Sequence, residues 1–241
     1  PRSTHCISSA ASDVYKRQIS VREDDTLFEV LYRMSRNRIH RIGVVDADNV
    51  LVGLINESDI IRLQNRSPQR LLQSVDEAQS IADLKKIHQE SDQLVIFLSQ
   101  NGVRTKDLVQ LIALLNDQIT SHLIGLLKQG RFKEMGKKSA FLVLGSEGRQ
   151  EQTLKTDQDN AMIIADDASA EEIADIEAFS YILIDALIEI GVPECPGGIM
   201  ARNEFWRRSL ADWKSAIDNW VGTPSGDNIL NFSMFSDMRI L

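Results

Sequence analysis

The stretch GSEGRQEQTLKTDQDN, at residues 145–160, lies between the apolar runs SAFLVL and AMII. Gly145 and Ser146 follow the first run, which predicts a strand that ends in a tight turn. Asp157 and Asp159 stand either side of one residue, and residues two apart on a strand point to the same face. Two neighbouring carboxylates repel each other unless a cation lies between them, so the pair predicts a metal site.

The Gly145–Ser146 turn is predicted to lead into a short helix over the segment EGRQEQTL. Gly145 lets the backbone approach a ligand closely, and the first amides of a helix bind anions because they have no internal partner. Ser146 adds a hydroxyl donor, and Arg149 lies one helical turn along. Mg²⁺ prefers oxygen ligands together with substrate phosphate. We therefore expect a phosphate site at Gly145, Ser146 and Arg149, with Mg²⁺ held by Asp157 and Asp159.

The composition excludes several classes of protein. The 241 residues include 27 Lys and Arg against 35 Asp and Glu, and the net charge of -8 argues against nucleic acid as a partner. The longest apolar segment is interrupted by Asp185 and Glu189, so no membrane span is predicted. Cys6 and Cys195 are too few for a disulfide framework, and Cys195 is interpreted as a packing residue. We expect a cytoplasmic protein.

Four segments follow one another along the chain. Residues 1–18 have no hydrophobic period and are interpreted as a disordered or non-native leader. Residues 19–68 predict the order strand, helix, strand, turn, strand, helix, and residues 69–135 predict a helical connector. Residues 136–241 predict alternating strands and helices, ending in an apolar stretch, NILNFSMFSDMRIL, interpreted as a strand and as a truncated end. The predicted fold class is multidomain α+β or α/β, with a mixed sheet flanked by helices.

The segment HRIGVVDADNVLVGLINESDII resembles a CBS module, named after cystathionine β-synthase. The resemblance implies an adenine nucleotide as ligand, with Asp59 either binding a ribose hydroxyl or capping its own helix. Asn56 stands where nucleotide-binding members often have Ser or Thr. CBS modules work in pairs and only one copy is found, which implies a second module or a homodimer partner.

The segment GSEGRQEQTLKTDQDNAMI resembles the nucleotidyltransferase superfamily that includes DNA polymerase β, whose signature is Gly with Gly or Ser, a spacer, and Asp-x-Asp. It is more closely similar to a bacterial family related to the PII-protein uridylyltransferases, which is typically fused behind cyclic-nucleotide-binding and CBS modules. The resemblance covers residues 19–241. It implies Mg²⁺-dependent transfer of a nucleoside monophosphate from an NTP, UTP or ATP, to a hydroxyl acceptor, with a protein as a candidate acceptor.

The superfamily usually completes its metal site with a carboxylate from a later strand. Asp237 alone among the downstream carboxylates lies inside an apolar run, with Arg239 two residues further on. We therefore predict that Asp237 joins Asp157 and Asp159 as a catalytic metal ligand. The alternative is a surface carboxylate paired with a neighbouring base.

A second function class stays open at this point. A CBS module that binds an adenine nucleotide is also compatible with a non-catalytic, nucleotide-sensing signalling protein, in which the transferase-like domain only binds. The Asp-x-Asp pair favours the enzyme, although Asp and Asn residues are also common in solvated turns.

Overall fold

The computed structural model describes residues 19–60, 67–129, 132–154 and 156–241. The chain divides into two compact units, residues 1–66 and residues 67–241. The leader expected at residues 1–18 lies outside the described residues. Within the described ranges, no helix combines the length and the apolar character needed to cross a membrane.

Among its described residues, the first unit contains a three-stranded sheet, one complete helix and the helical residues 57–60. Its elements are β1 (Ser20–Arg22), α1 (Leu27–Asn37), β2 (Arg41–Val45) and β3 (Leu51–Asn56). β2 is the central strand, parallel to β1 and antiparallel to β3. The Asp46 carboxylate accepts hydrogen bonds from the amides of Asp48 and Val50, both at 2.9 Å, which closes the predicted turn between β2 and β3. This order of strand, helix, strand, turn and strand, followed by the helical residues 57–60, agrees with the order predicted from the sequence.

The second unit is built on a four-stranded mixed sheet in the order β6-β5-β4-β7. β5 is parallel to β6 and antiparallel to β4, which is antiparallel to β7. Its strands are β4 (Ser139–Val143), β5 (Asn160–Ile164), β6 (Arg207–Ser209) and β7 (Arg239–Ile240). Its helices are α2 (Pro68–Glu77), α3 (Ile81–Gln100), α4 (Thr105–Leu127), α5 (Gly145–Gly148), α6 (Ala170–Ile190), α7 (Leu210–Gly222) and α8 (Gly226–Ser236).

Both faces of this sheet are buried. On β4, Phe141 and Val143 join a large apolar cluster formed with α2, α3, α4 and α6. Leu142 and Leu144 belong to a second cluster, with the tryptophans of α7 and its preceding segment. Because successive strand residues point to opposite faces, a continuous apolar strand such as β4 requires a layer of helices on each side.

The helices expected as a connector pack in the same compact unit as the sheet. Leu94 of α3 and Leu115 of α4 are almost fully buried in the cluster that contains Phe141. In the described part of residues 69–135, the helices α2, α3 and α4 agree with the helical prediction. Helices α3 and α4 therefore pack against one face of the sheet that carries the site described below.

The last apolar stretch is a helix, and its interpretation as a strand is wrong. Ser225 caps α8 by accepting a hydrogen bond from the amide of Asn228 at 3.1 Å. Phe235 then packs against Trp213 with ring centroids 4.4 Å apart. Only Arg239–Ile240 is extended, and it pairs with β4. The N-terminal capping signal at Ser225 outweighs the apolar composition, which does not by itself distinguish a strand from a helix.

Two local predictions around the motif also need correction. The short helix spans only the four residues Gly145–Gly148 and not the predicted segment EGRQEQTL, so it is too short to develop the dipole of a full helix. Asp157 and Asp159 precede β5 rather than lying within it, since β5 begins at Asn160. Asp237 likewise lies at the C-terminal cap of α8 and not inside a strand.

Candidate active site

The segment that carries Asp157 and Asp159 is held by backbone hydrogen bonds on both sides. The carbonyl of Asp159 accepts from the amide of Leu144 at 2.8 Å, which extends the pairing of β5 with β4 beyond the strand. The amide of Gln158 donates to the carbonyl of Pro193 at 3.1 Å, and the amide of Asn160 donates to the carbonyl of Ile199 at 3.0 Å. The two aspartates thus lie between the end of β4 and the loop at residues 191–203.

Side chains alternate along this segment. Gln158 and Asn160 are buried, each with about 1% exposure, whereas Asp157 and Asp159 are only half-buried. The Asn160 amide group donates to Gln158 at 3.1 Å and accepts from the amide of Ala201 at 2.7 Å. Gln158 and Asn160 therefore hold the loop at residues 191–203 in place by hydrogen bonds, while the carboxylates of the two aspartates remain partly exposed.

The structure brings together Asp157, Asp159 and Cys195. One ligand atom from each lies within 4.8 Å of the others, and this is the group of metal-competent side chains found among the described residues. The Cys195 thiol donates a hydrogen bond to Asp159. Burial raises the pKa of Asp159, the bond from Cys195 opposes this rise, and the charge of Asp157 adds to it. Burial, together with the bond to Asp159, also raises the pKa of the Cys195 thiol.

Gly145 occupies the position that the turn predicts. It has φ of 51°, and a Cβ atom there would lie 2.8 Å from Oδ2 of Asp159 and 3.0 Å from the Met234 methyl group. The absence of a side chain therefore leaves room for the carboxylate at the end of β4. Ser146 follows on α5 and is half-buried.

Arg149 is engaged by carboxylates. It donates to Glu151 at 2.8 Å and forms an ion pair with Asp237. Asp237 is not a member of the group formed by Asp157, Asp159 and Cys195. Arg149 was expected to bind phosphate and Asp237 to bind metal, but the structure pairs them with each other. This contact corresponds to the alternative given above for Asp237, a carboxylate paired with a neighbouring base.

A buried carboxyl group lies behind the motif. Glu147 of α5 is 7% exposed and lines a cavity of ≈ 70 Å³, together with Gln158 and His88. Burial, reinforced by Asp117, raises the pKa of Glu147 to about 8. Arg239 donates to Asp117 at 2.7 Å and to the Glu147 carbonyl at 3.1 Å. Arg239 therefore pairs with a carboxylate of α4.

In the first unit, Asp59 contacts its own neighbour. Its Oδ2 atom accepts from the backbone amide of Asn56 at 3.0 Å and from the Asn56 side chain at 2.9 Å. This is a local contact of the kind expected for a capping residue, and the ribose-binding role of Asp59 stays a prediction.

The donor set fits a divalent cation. Asp157 and Asp159 supply carboxylate oxygens on the outward face, and Gly145 leaves space beside them. Cys195 is the residue that sequence reasoning missed, because it was interpreted as packing. Cys195 lies in the Pro- and Gly-rich segment VPECPGGIM, which is typical of a loop. Loops often carry functional residues, so this composition is the signal by which Cys195 could have been found.

A mixed sheet with a Gly-Ser turn after one strand and two carboxylates before the next, in a chain with a CBS-type unit, defines a nucleotidyltransferase-like protein. The chain belongs to the family described as "Putative nucleotidyltransferase DUF294", whose model matches residues 89–227. A model of the CBS domain matches residues 11–66 and thus begins within the expected leader.

One curated relative shares a limited part of the chain. Over 50 residues the chain is 40% identical to "Uncharacterized protein MJ1426" of Methanocaldococcus jannaschii, covering 21% of this chain and 30% of that protein. The chain thus spans about 30% of the length of the curated relative it matches.

Proposed function

We propose that this protein is a Mg²⁺-dependent nucleotidyltransferase that transfers a nucleoside monophosphate from an NTP to a hydroxyl acceptor. The observation that carries the proposal is the meeting of Asp157 and Asp159 beside Gly145, in a chain that belongs to a family of nucleotidyltransferase type. In this reaction the acceptor oxygen bonds to the α-phosphorus, pyrophosphate leaves, and the hydroxyl proton passes to solvent.

The roles of the residues follow from their positions. Asp157 and Asp159 would hold Mg²⁺, which supplies charge neutralisation for the triphosphate and the leaving pyrophosphate. Gly145 keeps the space beside Asp159 open, and the Ser146 hydroxyl would donate to a phosphate oxygen. Arg149 would bind the triphosphate after exchanging Asp237 or Glu151 for phosphate, a substitution that bidentate guanidinium binding favours.

The donor, acceptor and regulation follow from the resemblance. We infer that UTP or ATP is the donor and that a protein hydroxyl is the acceptor. The CBS unit would bind an adenine nucleotide near Asp59 and act with a second CBS module supplied by another copy of the chain. Val52 and Leu54 lie two apart on β3 and therefore on one face, and both are exposed; this supports such pairing, since an exposed apolar face usually marks an interface.

The test is direct labelling in the cytoplasmic fraction of a host. The full chain is incubated with each α-³²P-labelled NTP, Mg²⁺ and host lysate, and proteins are separated. We expect Mg²⁺-dependent label on a protein band with one NTP, and none with the Asp157→Asn variant. Label that appears equally with this variant, or none with any NTP, would contradict the proposal. The exposed Asp218→Asn variant on α7 serves as the matched control.

The match of a CBS model to residues 11–66 is also compatible with the alternative of a non-catalytic nucleotide sensor. A sensor would bind NTP in equilibrium dialysis and release no pyrophosphate, whereas an enzyme would release pyrophosphate in step with label transfer.

A further inference from the structure

The Cys195 thiol lies against the two carboxylates that are expected to hold Mg²⁺. Its sulfur and one oxygen from each of Asp157 and Asp159 lie within 4.8 Å of one another. Tetrahedral zinc ligands lie about 2.0–2.3 Å from the metal, which places two ligand atoms roughly 3–4 Å apart. The three side chains therefore need only small movements to surround one ion.

The sulfur is held in this position by the fold. Cys195 is 7% exposed and packs within the large apolar cluster. Its carbonyl accepts from the amide of Gly198 at 2.9 Å, and the flanking Pro193 accepts from Gln158. Because Gln158 lies between the two aspartates, the same short segment that carries the carboxylates also fixes the loop that carries the thiol.

Sulfur changes which metals the site accepts. Mg²⁺ takes oxygen ligands and has little affinity for sulfur, whereas Zn²⁺ and Co²⁺ bind both thiolate and carboxylate. We propose that Asp157, Asp159 and Cys195 together form a site for a sulfur-binding divalent cation of the Zn²⁺ class, which competes with Mg²⁺ for the same carboxylates. When the ion binds, the thiol releases its proton to solvent and the thiolate sulfur becomes a ligand of the metal.

This inference rests on the proposed function in one respect, since it places the competing ion on the carboxylates assigned to Mg²⁺. The consequence is inhibition: an ion bound by all three residues fills the carboxylates that the nucleotide reaction needs. We expect that Zn²⁺ inhibits transfer at concentrations far below those of Mg²⁺, and that this sensitivity is reduced in Cys195→Ser.

The test uses Co²⁺ alone as an optical probe, without nucleotide. The wild-type full chain, reduced and free of oxygen, is titrated with Co²⁺, and we expect a thiolate-to-cobalt charge-transfer band in the near ultraviolet. Cys195→Ser should lose the band, while Cys6→Ser, which removes the other cysteine of the chain, should keep it. Addition of Zn²⁺ should abolish the wild-type band by displacement. Absence of the band in the wild type, or its persistence in Cys195→Ser, would overturn the proposal.

A second measurement needs no variant and guards against a misfolded Cys195→Ser. Alkylation of Cys195 by iodoacetamide is followed by peptide mass spectrometry in the wild type. Zn²⁺ should slow alkylation, because a thiolate bound to a metal is not free to react, and Mg²⁺ should not. Equal rates with the two metals would contradict the proposal.

The two proposals fail separately. If the cobalt band appears as expected and no NTP label is transferred, the metal group stands and the nucleotidyltransferase proposal fails. If label is transferred and the band is absent, the enzyme stands without a thiolate ligand.

Discussion

Arg149 forms an ion pair with Asp237, which lies 88 residues further along the chain. From the sequence, the first residue was expected to bind phosphate and the second to bind metal. Asp157 and Asp159 therefore have Cys195, and not Asp237, as their neighbour. Asp237 instead competes with phosphate for the guanidinium group of Arg149.

The first prediction concerns Asp237. We expect Asp237→Asn to keep Mg²⁺-dependent turnover and to lower the KM for the NTP, because Arg149 loses a carboxylate that competes with phosphate. The free energy of unfolding should fall by less than about 1 kcal/mol, as is usual for an exposed ion pair. Steady-state kinetics and urea unfolding measure both quantities. A collapse of kcat with weakened Mg²⁺ affinity would instead make Asp237 a metal ligand.

The second prediction concerns the two carboxylates before β5. Asp157→Asn and Asp159→Asn should each lower kcat by at least about 100-fold, which corresponds to about 2.7 kcal/mol of transition-state stabilisation. Circular dichroism should show an intact fold, because both side chains are only half-buried. Asp218→Asn, an exposed change on α7, should keep the wild-type rate. Near-normal turnover in either site variant would remove that residue from the metal site.

The third prediction concerns Gly145. An alanine there would adopt a positive φ and place its Cβ against Oδ2 of Asp159. Gly145→Ala should therefore lower the free energy of unfolding by roughly 1–2 kcal/mol and weaken Mg²⁺ binding. Calorimetric Mg²⁺ titration and urea unfolding test this. Gly125→Ala, in the interior of α4 with nothing near the new methyl group, should stabilise the protein by up to about 1 kcal/mol. Unchanged metal affinity in Gly145→Ala would show that the close contact has no effect on Asp159.

The fourth prediction concerns pH and the buried Glu147. Its folded-state pKa of about 8 lies above the ordinary value of 4.5, so its contribution to stability is fully present below pH 4.5 and is lost as the pH rises through 8. Glu147→Gln stays neutral, and its advantage over the wild type should grow across this window to roughly 3–5 kcal/mol. Urea unfolding from pH 5 to 9 measures the difference.

The control for Glu147 is Glu189→Gln, an exposed change on α6. Its unfolding free energy should follow that of the wild type at every pH. If the Glu147→Gln curve also runs parallel to the wild type, the carboxyl group is charged in the folded state at neutral pH.

The fifth prediction concerns the CBS unit. The full chain should self-associate in sedimentation velocity and bind AMP, and Val52→Lys on β3 should lose both, because a charge disrupts the exposed apolar face. Val221→Lys, at an exposed position on α7, should lose neither. Tight AMP binding by monomeric Val52→Lys would contradict a paired module.

Local signals in the sequence were sufficient for much of the fold. Helix α6 begins after Ser169, whose side chain and that of Glu172 form a capping box, and its C-terminal cap is Gly191 with φ of 123°; Ser at the start and Gly at the end are both local signals. The family and the CBS module were also recognisable, because their motifs are short and contiguous. The strand predicted over NILNFSMFSDMRIL was wrong because apolar composition alone does not distinguish a buried strand from a helix.

By itself the sequence determined most of the elements, the Gly-Ser turn and the Asp157–Asp159 pair, since each depends on residues within a few positions of one another. Only the tertiary structure decided that Cys195 meets Asp159 and that Asp237 meets Arg149. Those contacts join residues 36 and 88 positions apart, by the numbering of the chain, through loops and helix ends whose paths are set by packing on both faces of the sheet. Local propensity carries no information about such paths, because they arise from the burial of the whole apolar surface.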